Sequence, residues 1–356
     1  MYEFKELSLD QRRIFIDAVQ AFQAFRDADE KRRSYAGGMH WKTVANREYL
    51  IRTRGGHGRQ QSLGPRSPET EKEYQAFQQH KEEAGQRYEE TKGALQYQSR
   101  LARAAYLGRV PSTVADIARF IMGSTRRQRH IQIIGTNALY AYEAAAGVHL
   151  DTELVATRDA DLLWDNRNGL KLTGTAPNSL LGLLRKADRS FEVLDAQPFR
   201  AVNKDGFMVD LVSPVPSPPH KETQSTMGSD PEDLSRVEVP GLAWLVSSPR
   251  MAQVAIDERG FPVEFLVPDP RVFALHKAWL AEQPDREPVK KGRDKAQADA
   301  VVALIQRYLP SYQFREQELA MLPASMRSPG PEAAPLPPGL EADPEDDERE
   351  PDSPDP

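Results

Sequence analysis

The sequence contains no cysteine. That excludes disulfides, a thiolate nucleophile and a zinc ribbon, and it suits a reducing compartment, so a cytoplasmic setting is expected. No apolar run approaches the ~20 residues that a membrane-spanning helix needs. The first residues, MYEFKELSLDQRR, lack the apolar core of a signal peptide. No association with a membrane is expected. There is no Walker loop and no Gly-x-Gly-x-x-Gly fingerprint, which argues against a P-loop NTPase or a dinucleotide enzyme. The seven histidines show no metal-ligand spacing, and no Ser-His-Asp arrangement follows from spacing. Internal repeats are absent as well.

What is present is an ordinary apolar fraction, 39%, spread over 356 residues, enough for two or three domains. The net charge of −6 is unevenly placed. From Ser328 to Pro356 there are ten acidic residues and one basic one, so the rest of the chain is mildly basic, +3 against −9. The tail is also rich in proline. It cannot bury enough apolar area to offset its ordering entropy, and it reads as disordered.

Phe15, Val19, Phe22 and Phe25 recur at helical spacing and predict a helix over 9–35. Aromatic and β-branched residues around Asn46 predict a hairpin over 39–53. RGGHGRQQSLGPRSP then reads as a glycine-rich basic loop. Its neighbourhood holds Arg52, Arg54, His57, Arg59 and Arg66, beside Trp41 and Tyr49, a set able to track a nucleic-acid backbone or simply to face water. Helices follow over 68–106 and 112–122. An α/β alternation begins at IQII, 131–134, with a helix at 136–146, a strand at 159–164 and a helix at 178–188. FRAVNKDGFMVDLVSP reads as a hairpin turning at Lys204-Asp205-Gly206, and 251–267 as another turning at Arg259-Gly260. Asp269-Pro270 marks a helix start, and helices are expected at 270–282 and 288–308. The fold class expected is α+β, with a helical N-terminal region over 1–125. A central sheet domain spans 126–267, a helical segment 268–322 and the tail 323–356.

Two aspartates, Asp159 and Asp161, interrupt the apolar strand ATRDADLLWD. Alternate side chains of a strand share a face, so these carboxylates point the same way while Ala160 and Leu162 face the core. No lysine or arginine separates them. A divalent cation with oxygen ligands removes the repulsion, and Mg²⁺ characteristically joins one or two carboxylates to substrate phosphates. Asp210 in FMVDLV supplies a third carboxylate, able to complete a metal site and to take a proton from an attacking hydroxyl. Gly135-Thr136 at a strand-to-helix junction offers close backbone approach, free amides and a hydroxyl to an anion. Each piece has a plainer reading: a solvated strand end, a helix start, an Asp210 paired to an arginine. Their order, strand, Gly-Thr, helix, Asp-x-Asp, then strand with Asp, favours phosphoryl-group chemistry.

This order resembles the nucleotidyltransferase fold of the DNA polymerase β-like superfamily, whose pattern is Gly-Ser, Asp-x-Asp and a third acid. Residues 1–310 resemble a family of bacterial nucleotidyltransferase-like proteins through GTNALYAYEAAAG, ATRDADLLWD, FRAVNKDGFMVDLV and PDPRVFALHKAWL. TRDADL also resembles a phrase of abortive-infection-type nucleotidyltransferase toxins, in which a later helix carries a lysine followed by an Arg-Asp pair. Lys277 and Arg293-Asp294 match those positions, whereas Gln297 stands where that pattern has an aspartate. The resemblance implies a minimal palm and Mg²⁺-dependent transfer of a nucleoside monophosphate from an NTP, with Mn²⁺ as a substitute cation. It implies metal binding by Asp159, Asp161 and Asp210, and nucleotide binding by Gly135, Thr136 and Lys277. The acceptor it implies is RNA, a protein or a small molecule. Two other readings are a toxin acting on tRNA or protein, and a catalytically silent sensor of nucleotide or RNA.

Overall fold

The computed structural model describes residues 3–54, 59–122, 130–165, 179–216, 225–228 and 230–327. The acidic tail expected from Ser328 onward lies outside the described residues. The chain is α+β. After a short strand β1 (Lys5–Glu6), Ser8 caps the helix α1 (Leu9–Ser34) in a reciprocal box with Gln11. The strands β2 (Gly38–Val44), β3 (Arg47–Arg54) and β4 (Arg59–Pro65) form an antiparallel sheet. Helix α2 (Pro68–Ala104) follows, capped by Ser67. Its 37 residues make it about 55 Å long. It packs along α1, with Phe25 and Tyr88 in ring contact and Ala18 buried together with Ala102.

The hairpin expected at 39–53 is β2–β3, turning at Ala45 and Asn46, both with positive φ. The stretch expected to be a basic loop is, over Arg59–Pro65, the third strand of this sheet. Its glycines and glutamines carry little β-propensity, so pairing to β3, not local preference, makes it a strand. Two of its arginines are structural. Arg52 is buried, donates to the carbonyls of Ala36, Gly38 and Thr53, and lies over the Phe77 ring. Arg66 pairs with Glu48 and Glu71 and covers Trp41. Residues 55–58 are outside the described set.

Helix α3 (Ser112–Met122) leads to β5 (Ile131–Ile134). A 3₁₀ turn, Gly135–Ala138, runs into α4 (Leu139–Ala146), which Gly147 ends in the left-handed conformation. Then come β6 (Val148–His149), α5 (Thr152–Val155), β7 (Asp159–Trp164) and α6 (Leu180–Ala187). The strands β8 (Glu192–Leu194), β9 (Gln197–Val202) and β10 (Met208–Pro214) follow. After them lie β11 (Val237–Val239), α7 (Leu242–Ser247), β12 (Arg250–Ile256) and β13 (Pro262–Pro268). Asp269 caps α8 (Pro270–Glu282), as expected of Asp-Pro, and α9 (Pro288–Tyr308) packs antiparallel-fashion beside it along much of its length.

The main sheet runs β5-β7-β10-β9-β8, with β11 paired to the far end of β10. Strands β7 and β10 are parallel; β5 and β9 flank them antiparallel. One face of this sheet is covered by α3, α4, α6 and α9, whose apolar residues meet Leu162, Trp164, Val209 and Leu211. The other face carries a smaller core, in which Ile134, Leu163 and Val212 meet α7 and α8. Among the described residues no helix is long and apolar enough to cross a membrane.

Candidate active site

Alternation along β7 explains why two carboxylates open an apolar strand. Leu162 and Trp164 enter the main core, and Leu163 enters the smaller one on the opposite face. Asp161 and Asp159 share the face of Leu163 but lie beyond the edge of that core, Asp159 exposed and Asp161 half-buried. On β10 the same rule puts Asp210 on the face of Val212.

The register brings the pieces together. Asp161 stands opposite Asp210 on the parallel neighbour, about 4.8 Å away along the sheet, and opposite Ile134 on its other side. Gly135 follows Ile134 directly. Its φ is +63°, and a Cβ placed there would fall 2.4 Å from Asp161 Oδ2. Only glycine leaves room for that carboxylate. Gly135→Ala is therefore expected to cost about 1–2 kcal/mol in stability from backbone conformation. Urea unfolding of the variant measures this cost.

The Asp161 carboxyl is pushed up to about 7, first by burial and then by the charges of Asp159 and Asp210. Lys277 and Arg200 pull the other way. Three negative groups thus converge on one place. Thr157 donates to the Asp159 carboxylate, and the Asn137 amide donates to the Asp159 carbonyl at 2.7 Å. Asp210 is already partnered. Arg200, its cross-strand neighbour on β9, donates to both carboxylate oxygens at 2.7 and 2.6 Å. Among the described residues no group of three or more histidines and acids is arranged to hold a metal ion. The Asp210 carboxylate is instead engaged by Arg200 through both of its oxygens.

Thr136 is half-buried, and its hydroxyl accepts from Gln297 Nε2 at 3.1 Å. Gln297 also donates to the Leu154 carbonyl. Lys277 is buried on α8 and donates to Asp294 of α9 at 2.6 Å, with Arg286 on the other oxygen. So Lys277 is tied to a carboxylate, yet its charge reaches Asp161. The Arg293-Asp294 pair divides: Asp294 faces Lys277, whereas Arg293 donates to the Ala156 carbonyl. His276 is buried and stacks on Trp279 beside Trp244, held down at about 3 by burial and then by Lys277. Arg158, which precedes the acid pair, is exposed.

Arg200, Asn137 and the contact of Gln297 with Thr136 were not singled out by sequence. For Arg200 a signal existed. In a hairpin turning at Lys204-Asp205-Gly206 the residue opposite Asp210 is Arg200, and the register Met208 with Val202 follows the same rule. The other two bonds join residues 22 and 161 positions apart, for which local pattern gives no cue.

A family model described as nucleotidyltransferase matches residues 112–322, from the start of α3 to beyond the end of α9. That is more than half of the chain, and the chain belongs to this nucleotidyltransferase family. No curated protein and no solved structure matches it.

Proposed function

We propose that the chain transfers a nucleoside monophosphate from an NTP to an acceptor hydroxyl and releases pyrophosphate, with Mg²⁺, or Mn²⁺ in its place, as the cation. The observation that carries this reading is Asp161. It lies against the glycine of a Gly-Thr turn and in register with Asp210, and its carboxyl is held near neutrality by burial and like charge. An oxygen-liganded divalent cation fits such a donor set. Asp159 and Asp161 would hold it, and when bound it would draw charge from the phosphate oxygens.

The residues of the chain supply the rest. The amides that open the 3₁₀ turn after Gly135 take no side-chain cap and would be donors for a phosphate. Because Gln297 donates to the Thr136 oxygen, the Thr136 proton is free to be donated to a phosphate. Lys277 adds a buried positive charge on the α8 side. The acceptor oxygen bonds to the α-phosphorus in line, and the bond from that phosphorus to the pyrophosphate oxygen breaks. The hydroxyl proton passes to Asp210 or to water. The order Gly-Thr, Asp-x-Asp, Asp supports placing the chain in the DNA polymerase β-like superfamily. Lys277 bonded to Asp294 supports kinship with abortive-infection-type enzymes. A cytoplasmic setting, rich in NTP and Mg²⁺, suits the reaction.

The full chain is incubated with each α-labelled NTP and Mg²⁺, with cell RNA and then cell protein as acceptor, beside the Asp159→Asn/Asp161→Asn variant. Label in RNA or protein, absent with the variant, establishes the transferase and names the acceptor class. Label that moves equally with both proteins refutes the site. NTP binding by calorimetry with no label in any acceptor, small-molecule extract included, turns the reading to a sensor.

A further inference from the structure

We propose that Arg200 does the work of a second cation at this site: it holds and neutralises Asp210, and so leaves Asp159 and Asp161 as a single-metal centre. This rests on the transferase reading above. Three observations carry it. First, the residues lie in one row across three strands, Asp161 opposite Asp210 and Asp210 opposite Arg200, so register fixes the guanidinium beside the acids. Second, the pair is a two-bond fork, with Arg200 Nε on Oδ1 at 2.7 Å and Nη2 on Oδ2 at 2.6 Å. Such forks are the stronger kind of charge-assisted bond. Gln197 takes the remaining terminal nitrogen at 2.8 Å, which fixes the fork's plane. Third, the pair is largely shielded: the Asp210 side chain is 13% exposed and that of Arg200 26%.

A divalent cation on Asp210 would sit against this guanidinium. Their repulsion in a half-buried site opposes chelation by Asp210, whereas each carboxylate oxygen keeps a lone pair for a neutral donor such as an acceptor hydroxyl. The charge of Arg200 extends beyond its partner, since Asp159 and Asp161 both act on it. Arg200 is thus a fixed positive charge beside the three acids and a positioning residue for Asp210. Polar atoms beside the remaining acid pair are also uncommitted. Asn137 is buried with its amide on the Asp159 carbonyl, and its Oδ1 has no partner among the described residues. The same holds for Oε1 of Gln297, whose amide is on Thr136.

The test counts bound Mn²⁺ on the full chain by electron paramagnetic resonance, with Mn²⁺ alone as probe. One site per chain is expected. Asp161→Asn should abolish it, whereas Asp210→Asn should only weaken it, by about tenfold, since Asp210 is no ligand but its charge offsets Arg200 beside the acids. Arg200→Gln should free Asp210, tightening Mn²⁺ binding about tenfold or adding a second site, while NTP-dependent pyrophosphate release falls about 100-fold. A merely structural arginine would lower both readouts together. Two sites in the natural chain, or an Asp210→Asn variant that binds as poorly as Asp161→Asn, would overturn the proposal and leave the transferase reading intact. Mn²⁺ binding indifferent to Asp161→Asn would overturn both. Should Arg200→Gln fail to fold, Asp210→Asn alone still decides.

Discussion

Asp161→Asn is expected to abolish transfer while making the metal-free chain more stable at neutral pH. The two effects have one cause. In the folded chain the Asp161 carboxyl titrates at about 7, raised by burial and by Asp159 and Asp210. In the unfolded chain it titrates at about 3.9. Between these values the native state holds a proton that the unfolded state has released, so stability falls as pH rises. The contribution is fully present below about pH 4 and is lost as pH passes through about 7. With water fully excluded the loss would approach about 4 kcal/mol; for a half-buried carboxyl about 1–3 kcal/mol is a fair expectation. Asparagine has no such proton. The variant's advantage in urea unfolding should therefore be small at pH 4, grow through pH 7 and level off above it. Mg²⁺ with NTP should shrink it, because the cation stabilises only the natural chain. Turnover should fall by a factor of about 10³ or more, through the loss of a charge aimed at the cation. A variant less stable than the natural chain at pH 8 without metal would show that Asp161 is not under electrostatic strain.

The legibility of this site in the sequence followed the range of the interactions. Asp159 and Asp161 were readable because strand alternation is local: Leu162 and Leu163 on opposite faces force the aspartates onto one. The turn at residues 203–206 was readable from its own chemistry. Asn203 accepts from the amides of Asp205 and Phe207, and Gly206 takes a positive φ. What the turn implied, Arg200 beside Asp210, was within reach of the same arithmetic. The parallel pairing of β7 with β10 was not. Some fifty residues separate the strands, and nothing in either one fixes a register that aligns Asp161 with Asp210 and not with a neighbour. The strand β4 carries no strand signal of its own, since Gln60, Gln61 and Gly64 look like loop residues; the edge of β3 recruits them. The buried pair of Arg109 with Glu143, which also takes the Leu150 amide, was invisible for the same reason of distance. Helices with marked ends, α1, α2 and α8, were the most legible elements, since Ser8, Ser67 and Asp269 cap them through their own side chains.

Asp294 should be the costliest single position in the C-terminal helices. It lies on α9, is 1% exposed, and accepts from Lys277 of α8 at 2.6 Å and from Arg286, in the connection between the helices, at 2.8 Å. Replacing it by alanine leaves two cations facing each other with no counter-charge, one of them nearly enclosed. Removing one partner of a buried pair typically costs about 3–5 kcal/mol, and much of that is the stranded charge, not the lost bond. Lys277→Met behaves differently. It removes the more enclosed cation and leaves Arg286 to satisfy Asp294, so about 1–2 kcal/mol is expected, in line with an ordinary charged hydrogen bond. The double variant should then lose less than the sum of the two, because the stranded lysine is gone. Urea midpoints of the three variants test this ordering. The network also reaches the site, since Lys277 is one of the two groups that draw the Asp161 carboxyl back down. Lys277→Met should therefore raise the pH at which Asp161 releases its proton and move the acid limb of the pH–rate profile upward. Asp294→Ala, which keeps the lysine charge and removes its screen, should move that limb downward in whatever fraction stays folded. Opposite shifts from two ends of one ion pair are what a purely structural tie between α8 and α9 would not produce.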